Sequence, residues 1–396
     1  MSEKSITTAK RWQSLLACAI ISMGIGISYS WSVFAVPLAE YFGINMTQAS
    51  LTYTINSFTT PVVMILSGLV LPKFGSKPLM RAGGVILLIG FMIVGAWKSL
   101  FNLYVFYGIF SSTGMSIIYG IVTTEGAKIF PARRGMATGI ILAGLGVGMI
   151  IVPMVTEWML NFCSILTTLK ILGVGFFILV EVFTFFVTPM PEIPDDQRNA
   201  PADTRKWTWI FRTPIYYVLL LMLCTGVTSG LMITSQTAVI GSQVVGMSTK
   251  LAAYSVSFVA LANTIGRFVW GSLSDKLGRI KTLAINFVFS ACMLVLLTFI
   301  SSGTTAIFIA GVMGIGFSYG GFMSIMPPLS SEAFGPKDST LKFAFVYIGF
   351  AGGGFLGPML SSLLGDVRIA FIGAAIISCI GLVLVYFAGK LVKTAK

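Results

Sequence analysis

Thr-Gly-Met-Ser-Ile-Ile-Tyr-Gly, residues 113–120, has an echo two hundred residues on, where 313–320 read Met-Gly-Ile-Gly-Phe-Ser-Tyr-Gly. Each octet lies inside an apolar run of about 20 residues, enough to cross a bilayer. A second echo follows each of them: Gly144, Gly146 and Gly148 precede Pro153, and Gly349 and Gly353 precede Pro358. A chain that repeats at half its length is built from two similar halves. The longest polar segment, from Pro189 to Arg212, separates them, and its Pro, Asp and Arg content reads as a linker. The expected organisation is a six-helix half over 1–188, a linker over 189–212 and a second six-helix half over 213–396.

Composition sets the medium. Of 396 residues, 56% are hydrophobic and only 10% charged, and the mean hydropathy is +0.92. A water-soluble domain carries roughly 25% charged residues, so this chain cannot cover itself with a solvated surface. Breaks at Pro, Gly and charged residues divide it into twelve expected spans, the eighth over 249–270. No stretch between spans has the length of a separate soluble domain, and the polar opening Met1 to Trp12 does not read as a cleavable signal. The class is an all-α polytopic membrane protein with 12 transmembrane helices in two pseudo-symmetric halves. Two parallel halves with a site near the midplane are the build of a rocking transporter. Forty-three glycines suit helices that approach closely.

The net charge of +13 invites a nucleic-acid reading, and the placement of the charges rejects it. Twenty-one basic residues fall on one face, among them Lys4, Lys10 and Arg11, Lys73, Lys77 and Arg81, and Lys337 and Lys342. Only Lys98, Lys170, Lys250 and Arg368 fall on the other. This asymmetry puts both termini and the linker in the cytoplasm and the protein in the inner membrane. Arg267 alone remains inside a span. An arginine in hydrocarbon costs at least about 2.5–3.5 kcal/mol, so it should have a task. A guanidinium fork grips a carboxylate through two parallel hydrogen bonds. The competing structural reading is a snorkelling arginine, or one tied to backbone carbonyls at the helix end, since 267 is only three residues from the expected end at 270.

At the end of the eighth span the chain reads Gly271-Ser-Leu-Ser-Asp275-Lys-Leu-Gly278-Arg279-Ile-Lys281. This resembles the loop signature of the major facilitator superfamily and implies that superfamily's fold. In the first half the equivalent loop is Gly68-Leu-Val-Leu-Pro72-Lys-Phe-Gly75-Ser-Lys77, with Pro72 where the signature has aspartate. The expected role of Asp275 and Arg279 is a latch. Asp275 sits near a helix N-terminus, and Arg279 and Lys281 pair across the cytoplasmic gap. Narrower stretches resemble the oxalate/formate antiporter family and the neighbouring prokaryotic lactate transporters: Tyr29-Ser30-Trp31, Ile118-Tyr119-Gly120, Asn263-Thr-Ile-Gly-Arg267 and Tyr319-Gly320-Gly321. The oxalate exchanger carries a lysine in its eleventh helix that, with the eighth-helix arginine, holds two carboxylates. Phe350 stands at that position here, and no basic residue lies between Lys342 and Arg368. The resemblance with this departure implies a monocarboxylate such as formate, lactate, pyruvate or acetate.

Around Arg267 the candidate set is Asn263, one turn earlier on the same face, with Tyr119, Tyr29, Tyr319 and Phe350. Tyr119 shares a face with Ser112, Met115, Ser116 and Thr123, polar enough to line a path. Tyr29, Tyr319 and Met323 can complete an aromatic cage, while core packing explains each of them taken alone. Tyr347 is a weaker candidate beside Phe350. Glu181 is the one acid well inside a span. A proton-coupled carrier would titrate such a group, but its sixth span is peripheral in the superfamily resembled, which favours a structural role. Glu125 and Glu157 fall at span ends.

Other classes lack their chemistry. There is no histidine, and the five cysteines have neither metal-ligand nor disulfide-framework spacing, so an enzyme, a metal site or a cofactor is not expected. A multidrug exporter would need a buried acid for its cations, and the buried charge has the wrong sign. An oxalate/formate-type antiporter, a proton symporter and a transport-dead sensor remain as alternatives. The partners expected are a carboxylate substrate and the lipid bilayer, not nucleic acid, with function as a monomer.

Overall fold

The computed structural model describes residues 7–188, 206–335, 337–363 and 366–394. The linker expected at 189–212 lies outside the described residues up to 205. Among the described residues, twelve helices are long and apolar enough to span a membrane, as expected. In chain order the helices are α1 (Thr8–Gly24), α2 (Trp31–Phe42), α3 (Met46–Phe74), α4 (Ser76–Ile93), α5 (Leu100–Asn102), α6 (Ser112–Ile129), α7 (Arg134–Leu160) and α8 (Ile165–Phe186). They continue as α9 (Pro214–Gln243), α10 (Thr249–Leu277), α11 (Arg279–Thr298), α12 (Thr305–Phe334), α13 (Ser339–Leu363) and α14 (Val367–Thr394). A 3₁₀ segment, Ile25–Ser30, joins α1 to α2, and a π-helical segment, Leu103–Ser111, joins α5 to α6. Tyr29 lies in the first of these interruptions.

Two compact units form. One comprises Met1–Phe130 with Gly144–Pro191, the other Pro131–Ala143 with Glu192–Lys396. The first ten residues of α7 therefore pack with the C-terminal unit.

The sequence echoes recur as geometry within each unit. In the first, Gly144 and Gly148 of α7 sit so close to α1 that a Cβ on either would strike the carbonyl oxygens of Ala19 and Met23. In the second, Gly349, Gly353 and Gly357 of α13 meet the carbonyls of Leu220, Cys224 and Thr228 of α9 in the same way. Small residues at four-residue spacing let two helix backbones touch, and van der Waals contact is the main attraction available in lipid. The one-residue joints also match: Gly75 between α3 and α4 has φ +79, and Gly278 between α10 and α11 has φ +87. Only glycine adopts that backbone cheaply.

At Gly320 of α12 the approach decides the position of α10. A Cβ there would overlap the Asn263 carbonyl oxygen and lie 2.8 Å from the Arg267 backbone nitrogen. Overpacking of this kind costs about 1–3 kcal/mol. Gly320→Ala is accordingly expected to lower the thermal midpoint of the purified protein. Gly354→Ala, where the nearest atom is a Leu231 methyl at 3.7 Å, should leave it unchanged. Equal midpoints for the two variants would contradict the packing argument.

Candidate functional site

Arg267 is fully buried, with 0% of its surface exposed. It does not sit near a helix end: α10 runs on to Leu277, ten residues or about 15 Å beyond it. The expected end at 270 is corrected, and the snorkelling reading goes with it. Three helices surround the side chain. Its Nε donates to Asn263 Oδ1 at 2.8 Å on α10 itself, and Nη1 donates to the Leu142 carbonyl of α7 at 3.1 Å. Asn263 Nδ2 in turn donates to the Gly316 carbonyl of α12 at 3.3 Å. These oxygens are all neutral. No Asp or Glu occurs in α10 before Asp275, in α12 before Glu332, or anywhere in α13. The guanidinium is held in place by dipoles, in helices whose own midsections carry no anion.

The other candidates of the C-terminal unit occupy different helices. Tyr319 of α12 is buried with its ring base against Gly230 of α9. Met323 lies buried one turn further along α12. Phe350 of α13 stacks on Tyr347, ring centres 4.9 Å apart and 9° from parallel. Tyr347 and Phe350 thus act as one aromatic plate.

In the N-terminal unit, Tyr119 is buried on α6 together with Ser112, Met115, Ser116 and Thr123. Ser112 Oγ donates to the Asn56 carbonyl at 2.9 Å, Thr123 Oγ1 to the Tyr119 carbonyl at 2.7 Å, and Ser28 Oγ to Met115 Sδ at 2.9 Å. Much of this polar stripe therefore ties helices and backbone together. Tyr29 is half-buried. Next to it, the Trp31 ring leans on Tyr107 at 5.1 Å and stacks on Tyr53 at 6.4 Å.

The latch residues meet a helix N-terminus. Asp275 accepts from the backbone N–H of Gly135 at 2.9 Å and of Met136 at 2.6 Å, the first turn of α7. A carboxylate there satisfies orphan donors and complements the helix dipole. Arg279 was expected to pair across the gap. It bonds instead within its own unit, to Asp275 Oδ1 at 2.7 Å and to Glu332 Oε1 at 3.1 Å.

Two buried cations went unread in the sequence. Arg279 is nearly buried. Lys342, expected as an orientation charge at the cytoplasmic end of the eleventh span, lies inside α13 with 2% exposure, its Nζ on the Phe334 carbonyl at 2.6 Å and over the Trp209 ring at 6.0 Å. Arg267 is therefore not the sole buried cation. The available signal was a lysine flanked by the aromatic cluster at 207–211 and the Gly335 break: an ammonium there can neutralise the C-terminal end of α12.

Glu181 pairs with Arg81 at 3.3 Å, both partly exposed, and Glu125 pairs with Lys128 at 2.8 Å. An exposed pair of this kind is worth about 0–1 kcal/mol. Glu181→Gln should leave the rate and pH profile of transport within about twofold of wild type. A flattened pH profile would make Glu181 a proton carrier instead.

Twelve spanning helices among the described residues, with a buried guanidinium inside them, fit a membrane transporter. A profile of the Major Facilitator Superfamily matches residues 16–326 and 256–395. The chain belongs to that superfamily, and its members are transporters, not enzymes. It is 27% identical over 393 residues to the oxalate:formate antiporter of Oxalobacter formigenes, covering 95% of this chain and 91% of that one. To the uncharacterized transporter YhjX of Escherichia coli it is 25% identical, over 87% and 85% of the two chains. Monocarboxylate transporter 13 of Bos taurus is 24% identical, over 90% of this chain and 81% of its own. Among solved structures, the proton:xylose symporter XylE superposes with a TM-score of 0.77 at 13% identity, over 98% of this chain and 97% of that one. The Escherichia coli fucose:proton symporter FucP gives 0.75 at 14%, over 94% and 98%. Both show the fold alone.

Proposed function

We propose that this chain is a secondary carrier of small monocarboxylates such as formate, lactate, pyruvate or acetate. It works by alternating access between the halves 1–188 and 213–396, with Arg267 as the substrate's counter-ion. The observation that carries the reading is the fully buried guanidinium, aimed by Asn263 and the Leu142 carbonyl, in helices whose midsections carry no acid. A substrate carboxylate would replace the Leu142 carbonyl at Nη1 and form the bidentate pair. Asn263 keeps the fork aimed by holding Nε, and Tyr319 and Phe350 of the same unit desolvate the rest of the acid. The protein would lie in the inner membrane with both termini in the cytoplasm, one chain forming the pathway. Asp275 and Arg279 would serve its gate.

The similarity to the Oxalobacter antiporter favours a second reading, exchange of oxalate for formate. The obstacle is charge. A dicarboxylate needs a second cation, Phe350 is spent on Tyr347, and Lys342 is bound to Phe334 eight residues away, about 12 Å along α13. The deciding experiment is uptake of labelled formate, lactate and oxalate into proteoliposomes, with and without anion inside. Saturable monocarboxylate uptake supports the first reading. Oxalate preferred over every monocarboxylate supports the second, and no uptake of any of them refutes both.

A further inference from the structure

The N-terminal unit carries a long apolar groove that the transport reading leaves unused. It encloses about 810 Å³ and runs along α3 from Leu51 to Val70, walled by Leu79 of α4 and by Ile109, Thr113 and Ile117. Its floor is dry. Thr59 and Ser67 turn their hydroxyls back onto the carbonyls of Ile55 and Met64. Phe58, Val62 and Leu66 stand more than half exposed along it. At the end formed by Val70 and Leu79 the surroundings change sign. Lys73 closes α3, Lys77 opens α4, and the sequence contains no Asp or Glu between Glu40 and Glu125. Where the C-terminal unit has Asp275, this corner has Pro72. Lys77 Nζ spends one N–H on the Phe185 carbonyl at 3.2 Å, which leaves two of its three donors. The first N–H groups of α4 have no side-chain cap at Gly75, and a helix start of this kind favours an anion.

We propose that this groove binds an anionic phospholipid, its acyl chains along α3 and its phosphate between Lys73, Lys77 and the start of α4. The half of the groove nearest Val70 matches such a molecule in order: apolar over a leaflet's depth, about 15 Å of the roughly 28 Å that α3 runs from Leu51 to Val70, then basic. A neutral zwitterionic lipid would fill the apolar part and gain little from the lysines, and a soluble anion would gain nothing from the groove. The site is independent of which substrate the chain carries.

The test is native mass spectrometry of the delipidated full-length protein, titrated with phosphatidylglycerol or phosphatidylcholine of identical acyl chains. Each juxtamembrane lysine contributes about fivefold to anionic-lipid affinity. Wild type should therefore retain phosphatidylglycerol at least fivefold better, and K73Q/K77Q should bring the two lipids within about twofold. Leu66→Trp, which narrows the groove and leaves both lysines, should lower retention of both lipids; an unchanged thermal midpoint in each variant shows that it has folded. Equal retention in wild type, a preference surviving K73Q/K77Q, or retention indifferent to Leu66→Trp would each overturn the proposal. So would a lipid-free dimer that seals the groove with a second copy of the chain.

Discussion

Arg267→Gln is expected to reduce carboxylate uptake into proteoliposomes by two orders of magnitude or more while leaving the protein folded. Truncating one partner of a buried, hydrogen-bonded charge pair costs about 2–5 kcal/mol, equivalent to about 30-fold to several thousandfold in affinity. The structure also argues that the fold will tolerate the change. An arginine at this depth costs at least about 2.5–3.5 kcal/mol to insert, so glutamine removes a penalty. Glutamine's amide can still donate to the Asn263 Oδ1 that Nε now satisfies. The thermal midpoint should therefore hold or rise as transport disappears. Arg267→Lys separates charge from geometry: it keeps the cation but loses the planar fork. Intermediate uptake is expected, with the loss mainly in apparent affinity. If Arg267→Gln transports like wild type, the carboxylate site lies elsewhere; if it fails to fold, the guanidinium is a structural tie among α7, α10 and α12.

The fold was legible because lipid forces the issue. A spanning segment must be long, apolar and self-satisfied in its backbone hydrogen bonds, so twelve spans and the offset-200 echo could be read directly. The glycine runs of the fifth and eleventh spans had a visible spacing, and the structure shows what it is for: close approach of two helix backbones in each unit. What could not be read was the continuation of a helix through polar residues. Ser272, Ser274 and Asp275 look like a loop on paper, yet α10 passes through them. Ser274 Oγ turns back to the Gly271 carbonyl, and Asp275 finds its partners on α7, 140 residues away. Ending the eighth span at 270 made Arg267 look like an end-of-helix residue. Lys342 was misread for a related reason, since a side chain that reaches a distant helix terminus leaves no periodic mark. The pairing of Arg267 with Asn263 was legible from i, i+4 spacing alone. The Leu142 carbonyl was not, because no sequence pattern reports a backbone acceptor.

Asp275→Ala is expected to be the second large lesion, and its signature should differ from that of Arg267→Gln. The carboxylate holds two N–H groups at the start of α7 and one guanidinium, and it is almost wholly buried. Removing one member of a buried pair costs about 3–5 kcal/mol. Here the loss falls on contacts between α10 and residues 131–143, the stretch of α7 that packs with the C-terminal unit. Arg279 keeps Glu332 and Ser274, so α11 stays anchored while the N-terminus of α7 is released. In an alternating-access cycle these contacts must form and break each turnover, and weakening them by even 3 kcal/mol shifts the equilibrium between states about 150-fold. Uptake should fall at least tenfold, while equilibrium binding of the substrate, which on the proposed reading meets Arg267 and not Asp275, should change by less than threefold. Asp275→Asn keeps a cap oxygen for one N–H and should lie between the two. A cysteine placed at Thr138, buried in the wild type, should become reactive to a water-soluble maleimide in the Asp275→Ala background only. If that cysteine stays protected and uptake is normal, the carboxylate is a local helix cap, and the contacts that control the gate lie elsewhere.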